Sequence, residues 1–227
     1  MSCSENQYVL GTHDDELARL GLQHRAWQEG VLAAWHNAGI SPGQTVLDIG
    51  CGPGYATLDL ARLVESTGKV IALDKSERFL AALNSEASKL HHSNIVGHQV
   101  DFDRDAFPTL MADAAWCRWV FAFVRDPKKL LSLVAASIRP AGAIVIHEYF
   151  DYAAWRAIPP SSELEEFVTA VMRSWRDNGG EPDIARFEIP VGQSDFHTLL
   201  RCDIAVFGQL THHVLNALPQ RRDGARR

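Results

Sequence analysis

The sequence predicts an α/β fold, a doubly wound and mostly parallel sheet with helices on both faces. Three observations carry this. Short strand-like segments recur at 45–49, 69–73, 94–100, 112–117 and 143–149, the first two in the pattern of strands buried on both sides. Segments of helical periodicity lie between them, at 55–64, 76–90 and 127–137. Turn residues separate the two kinds of segment, among them Ser41-Pro42-Gly43, Thr67-Gly68 and Pro140-Ala141-Gly142. Regular alternation of this kind gives βαβ units with right-handed crossovers.

Each element has a local reason. Leu17, Leu20, Trp27, Val31, Leu32 and Trp35 recur at helical spacing, so 14–36 reads as one or two amphipathic helices, with Gly21 and Gly30 as points of breakage or bending. Ser76 is placed to cap the helix that carries Phe79, Leu80 and Leu83. Asp126-Pro127 opens the next, with proline at its first position. A further helix spans 159–175, started by Ser161 or Ser162 with Glu165 in capping-box position.

Composition narrows the class. A chain of 227 residues is one domain by size: a helical lid over 1–40, a ligand-binding core over 41–150, and an acceptor-side helix with an atypical end over 151–227. The net charge of −6 disfavours a nucleic-acid partner. Four separated cysteines form neither a disulfide framework nor a metal knuckle, and fit a reducing cytoplasm. The polar, acidic start is unlike a signal peptide, and no stretch is long and apolar enough to span a membrane.

The sharpest signal is Val46-Leu47-Asp48-Ile49-Gly50-Cys51-Gly52-Pro53-Gly54. Three glycines at alternate positions follow a buried strand and open a helix, where a ligand can approach the backbone closely. The spacing is not G-x-G-x-x-G, because position 55 is tyrosine. Asp48 would repel phosphates and favours a cationic ligand. Asp74 ends the second strand, 26 residues after Asp48, where an acid is placed to accept ribose hydroxyls.

VLDIGCGPG followed by VIALDKS resembles motifs I and II of the class I S-adenosylmethionine-dependent methyltransferases, a Rossmann-like family. The resemblance extends over about 8–146 and implies S-adenosylmethionine as cofactor. It assigns Gly50, Cys51, Gly52 and Gly54 to the loop under the methionyl part, Asp48 to its ammonium, and Asp74 with Lys75 to the ribose. Asp101 and Phe102 match the positions that meet the adenine. Arg118, after strand four, is placed to pair with a carboxylate. Tyr8 belongs to a segment like the N-terminal lid of small-molecule members.

Methyl transfer is an in-line displacement at an activated centre, so a general base is needed only when the nucleophile must lose a proton. The candidates are His147 and Tyr149, at the binding edge of strand five and on one face of it, with Glu148 on the other. No metal is expected, since the acids of metal-dependent phenol methyltransferases are not matched at 117–118 and 147–149. Trp155 and the region of Trp175 add aromatic surface.

The family pattern weakens after about position 186. Segment 193–200 reads as a short helix, 203–207 as strand six and 211–218 as a short strand seven. A truncation or frameshift near Pro190 would account for this, and an uncovered edge would allow a homodimer. The sequence thus reads as a methyltransferase acting on a small-molecule acceptor. The alternatives are a catalytically inactive cofactor-binding module, an aminopropyl transferase and, last, a nicotinamide dehydrogenase.

Overall fold

The structure is a computed structural model that describes residues 11–108, 110–149 and 157–184, together with the backbone of 197–201. Helix α1 (Asp14–Asn37) precedes β1 (Thr45–Ile49), α2 (Tyr55–Leu63), β2 (Lys69–Asp74), α3 (Glu77–Lys89), β3 (Ile95–Gln99) and β4 (Ala112–Arg118). A short 3-10 turn at Phe121–Phe123 leads to α4 (Pro127–Ala136), β5 (Ile138–His147), α5 (Ser162–Asp177) and β6 (His197–Arg201). The strands pair in parallel in the order β3-β2-β1-β4-β5-β6. The chain winds outward from β1 through β3 and returns to the other side of β1 at β4. The carboxyl ends of β1 and β4 therefore flank the switch point, where such sheets bind ligands.

Alternation along the strands divides the core. Leu47, Ile49, Ile71, Leu73, Cys117 and Ile146 pack on one face with Leu130 and Val134 of α4. On the other face Val46, Val70, Trp116 and Val145 pack against Trp27, Val31 and Trp35 of α1 and Leu60 of α2. Trp35 meets Trp116 edge-on, with ring centroids 5.3 Å apart, which seats α1 on the middle of the sheet. Asp48 and Arg118 have the same parity as Val46 and Trp116, so the switch point turns both charges toward α1 and α2.

Helix α1 is continuous through both of its glycines. Gly21 breaks nothing; it makes room, since a Cβ there would lie 2.9 Å from Tyr55 Oη. That hydroxyl crosses the helix to donate to the Leu17 carbonyl at 2.9 Å. Three acids in the first turn complement the helix dipole. Ser76 and Asp126 cap α3 and α4 as the sequence predicts, accepting from Phe79 N and Lys129 N at 3.2 and 2.9 Å.

Three expectations are corrected. Strand β5 begins at Ile138, not at 143; Pro140-Ala141-Gly142 is a bulge against β4, where Ala141 takes a φ of 61° and the register shifts between Ala112 and Ala114. Helix α5 starts at Ser162, and Ser161 is its cap, accepting from Leu164 N, so Glu165 falls one place beyond the capping box. Residues 197–200, read as the end of a helix, belong instead to β6, which pairs parallel to β5 from Ala143↔His197 to His147↔Arg201. The strands expected at 203–207 and 211–218 lie outside the described residues.

Candidate active site

The glycine loop leaves β1 and turns over the end of β2, where Gly50 N and Cys51 N both donate to the Leu73 carbonyl, at 2.8 and 3.0 Å. Gly50 has a φ of 67°, and a Cβ on it would lie 2.2 Å from Val120 Cγ2. Only glycine satisfies both the dihedral and that approach. Above Gly52 none of the described residues lies within 4 Å of where a Cβ would sit, so they leave the top of the loop open. Asp74 supports the loop from beneath: Oδ2 accepts from Gly52 N and Oδ1 from Ser76 N, both at 2.8 Å. Burial raises its pKa, against those two bonds.

A cavity of about 130 Å³ opens beside this loop. Asp48, Gly50, Cys51 and Gly52 form one wall, Arg118, Trp119, Val120 and Tyr149 another, and Glu16, Arg19 and Gln23 of α1 the roof. Asp48 is fully enclosed; its Oδ2 accepts from Thr57 Oγ1 at 2.6 Å. Burial pushes its pKa up to about 6, while the Thr57 bond and the Arg118 charge pull the other way. Burial in turn lowers Arg118 to about 10, opposed by Asp48. Each charge therefore favours the ionised form of the other. Arg118 Nη2 meets His24 Nδ1 at 3.2 Å, whereas Nη1 is buried without a hydrogen-bond partner among the described residues.

Behind this wall His24 Nε2 lies 3.0 Å from Asp59 Oδ2, which also accepts from Gln28 Nε2 at 2.6 Å; Arg62 Nη1 donates to Oδ1 at 2.7 Å. Burial raises the Asp59 pKa, but the bonds from His24 and Gln28 and the neighbouring positive charge outweigh it and hold the carboxyl below its ordinary value.

The chain beyond β4 is held by Glu148. Trp119 takes a φ of 55°, and Val120 N and Phe121 N then donate to Glu148 Oε1 at 2.5 and 2.7 Å. Its other oxygen is buried without a partner among the described residues. Burial drives this carboxyl up to about 8, against the pull of the backbone bonds. Glu148 thereby latches the loop through a carboxyl whose burial favours the protonated form.

Residues 40–201 match the methyltransferase domain family, well over half of the chain. The chain belongs to the class I S-adenosylmethionine-dependent methyltransferases. Its cofactor is S-adenosylmethionine. Among curated relatives it is 28% identical over 139 residues to the ubiquinone/menaquinone biosynthesis C-methyltransferase UbiE of Escherichia coli, covering 60% of this chain and 53% of that one. The chain thus spans about half the length of the curated relatives it matches. In fold it is similar to a chain of the complex between the Haloferax volcanii Trm112 methyltransferase activator and a methyltransferase, with 22% identity, 70% of each chain covered and a TM-score of 0.51. An Aquifex aeolicus S-adenosylmethionine-dependent methyltransferase gives 24% identity over 65% of this chain and 77% of that one, with a TM-score of 0.49.

The cavity fits one end of this cofactor. The methionyl group carries an ammonium and a carboxylate, and the cavity is lined by the carboxyl-bearing Asp48 and the guanidinium-bearing Arg118. About 130 Å³ is below the roughly 300–1,000 Å³ of a pocket enclosing a whole ligand of drug size, as suits one end only.

Of the residues singled out from sequence, Asp48, Gly50, Cys51, Gly52, Arg118 and Tyr149 meet at the cavity. Gly54 lies below, capping α2 with a φ of 87° and pressed against Leu83. Asp74 supports the loop. Lys75, Asp101 and Phe102 are outside the lining: the Lys75 carbonyl accepts from Gln99 Nε2 at 3.0 Å, Asp101 Oδ1 accepts from Asp103 N at 3.0 Å, and Phe102 packs with Phe107. Tyr8 and Trp155 lie outside the described residues. The Cys51 thiol is pushed up by burial and by the Asp74 and Asp48 charges, which suits a space-filling residue and not a nucleophile.

His147 stands apart from the cavity lining. Its ring sits edge-on to Trp27 at 4.7 Å and tilted against Trp119 at 5.4 Å, and burial, with Arg118 nearby, lowers its pKa to about 3. The expectation that it shares a face with Tyr149 is corrected. Strand β5 ends at His147, so the alternation stops there, and Tyr149 packs toward Trp175 while stacking on Trp119 at 5.6 Å. Sequence reading missed His24 and Asp59. The available signal was a histidine three residues before Trp27 and seven before Val31, on the buried stripe of α1.

Proposed function

We propose that the protein transfers a methyl group from S-adenosylmethionine to a small-molecule acceptor by in-line displacement. The observation that carries this is the opposed pair Asp48 and Arg118 in one cavity at the carboxyl ends of β1 and β4. The cofactor supplies an activated methyl group on a sulfonium. Asp48 holds the ammonium, Arg118 the carboxylate, and the glycine loop brings backbone close without side-chain bulk. Asp74 accepts from the ribose with the lone pairs its two backbone bonds leave free. Asp101 and Phe102 take the adenine, and Glu16, Arg19 and Gln23 exclude water from above.

The acceptor side is aromatic. Trp119, Phe123 and Tyr149 border the cavity, and flat apolar walls orient a planar acceptor. The likeness to a C-methyltransferase of quinone biosynthesis supports an electron-rich ring as acceptor. Tyr149 is the polar group placed to hydrogen-bond it; His147 is too deeply packed to take its proton. Helix α1 acts as the lid, and the whole chain as one catalytic domain.

Calorimetry with S-adenosylmethionine and S-adenosylhomocysteine, on wild type and Asp74→Ala, tests the site. Binding that is lost in the variant supports it, and absence of binding by folded wild type refutes it. Formation of S-adenosylhomocysteine with phenol and quinol acceptors then separates an enzyme from an inactive cofactor-binding module.

A further inference from the structure

The buried polar residues of α1 and α2 form a chain that ends in the cavity. Arg118 carries donors only, and an ionised Asp59 carries acceptors only. His24 lies between them, 3.2 Å from Arg118 Nη2 through Nδ1 and 3.0 Å from Asp59 Oδ2 through Nε2. One arrangement satisfies both contacts: Nε2 carries the proton and donates to Asp59, and the Nδ1 lone pair accepts from Arg118. A charged ring would aim an N–H at the guanidinium, and the other tautomer would lose both bonds. The surroundings hold that choice. Gln28 and Arg62 fix the Asp59 carboxylate, and Tyr55 stacks on the His24 ring with centroids 6.0 Å apart. His24 and Asp59 are both buried, which limits the access of water to either.

Three elements meet in this chain: His24 from the lid helix, Asp59 from the helix opened by the glycine loop, and Arg118 from the end of β4. The guanidinium also lies over the Trp119 ring, 4.9 Å from its centroid, which leaves it little freedom to rotate. Nη2 is thus engaged by His24 while the Arg118 side chain lines the cavity.

We propose that His24 and Asp59 are positioning residues for the carboxylate of the bound cofactor: Asp59 sets the tautomer of His24, and His24 anchors Nη2 of Arg118 so that the guanidinium is held at the cavity wall to serve the carboxylate. This rests on the cofactor reading above and extends it to two residues that touch neither cofactor nor acceptor. It also couples the seating of α1 to recognition of the methionyl end, because His24 reaches Arg118 only when the lid helix is docked.

The test compares two ligands that differ at that end. S-adenosylhomocysteine carries the amino-carboxylate, and 5′-methylthioadenosine lacks it. Calorimetry on His24→Phe should show roughly tenfold weaker binding of S-adenosylhomocysteine, the scale of one impaired charge-assisted bond, with 5′-methylthioadenosine binding as in wild type. Arg118→Met should give the same selectivity with a larger loss, and His24→Phe added to it should cost nothing more. Equal weakening of both ligands in His24→Phe would mean a merely structural role and overturn the proposal, as would unchanged binding or additive losses. Wild type that binds neither ligand would overturn the cofactor reading itself, and the proposal with it. Should His24→Phe fail to fold, the imidazole ¹⁵N shifts of wild type decide. A protonated Nε2 with bare Nδ1 at neutral pH is expected, and a charged ring or the opposite tautomer refutes the mechanism.

Discussion

Replacing Glu148 with glutamine should stabilise the protein, by an amount that grows with pH. The carboxyl is buried, and its pKa rises from 4.5 to about 8. A group whose pKa is raised by folding contributes its full stability below the unfolded value and loses it as pH climbs through the folded one. Below about pH 4.5 both states are protonated and wild type suffers no penalty. Between 4.5 and about 8 the unfolded chain ionises while the folded one holds its proton, so wild type loses stability steadily. At about 1.4 kcal/mol per pH unit the ceiling is about 5 kcal/mol, and relaxation around the site brings the expected figure nearer 2. Glutamine keeps an oxygen for Val120 N and Phe121 N and puts an amide where the unpartnered oxygen stood, so it cannot ionise yet still holds the loop. Urea unfolding followed by tryptophan fluorescence at a series of pH values measures the difference. Coincident curves at acid pH that diverge toward pH 8 are expected, with the variant the more stable. A difference independent of pH, or a wild type that gains stability over that interval relative to the variant, would refute the reasoning. Glu148→Ala, which cannot latch the loop, should be destabilised throughout.

Other outcomes follow from the same geometry. Gly50→Ala forces a φ of 67° on alanine and sets its Cβ 2.2 Å from Val120 Cγ2; it should weaken S-adenosylhomocysteine binding at least tenfold by calorimetry while circular dichroism stays that of the wild type. Asp48 ionises through about 6, so affinity for S-adenosylmethionine should fall as pH drops below that value; Asp48→Asn, which still accepts from Thr57, should bind weakly and without that dependence. His147 is held to about 3, so the kcat/KM pH profile of His147→Gln between about pH 5 and 8 should keep the wild-type shape.

The fold was legible because its signals are local. An apolar run such as 45–49 has no solvent face, and Ser76 and Pro127 announce helix starts whatever the rest of the chain does. Departures came where distant segments decide. Residues 140–142 carry turn chemistry, yet pairing with β4 absorbs them as a bulge. Residues 197–200 read as helical alone, but the open edge of β5 supplies backbone partners that make them part of a strand.

Much the same division runs through the site. The glycine loop, Asp48 and Asp74 stand within one βαβ unit, where spacing alone places them at a strand end. The sequence therefore predicted, by itself, a glycine-rich loop following an acid-bearing strand at the carboxyl edge of a parallel sheet. Only the tertiary structure decided what those groups touch. It put both oxygens of Asp74 on backbone N–H groups and turned Glu148 inward to latch the β4 loop. It also joined His24, Asp59 and Arg118, the first and the last 94 positions apart in the chain. The physical reason is range. Dihedral preference and hydrophobic period act over a few residues and can be read in order along a chain. Desolvation and hydrogen-bond satisfaction belong to groups that meet only once the core has closed.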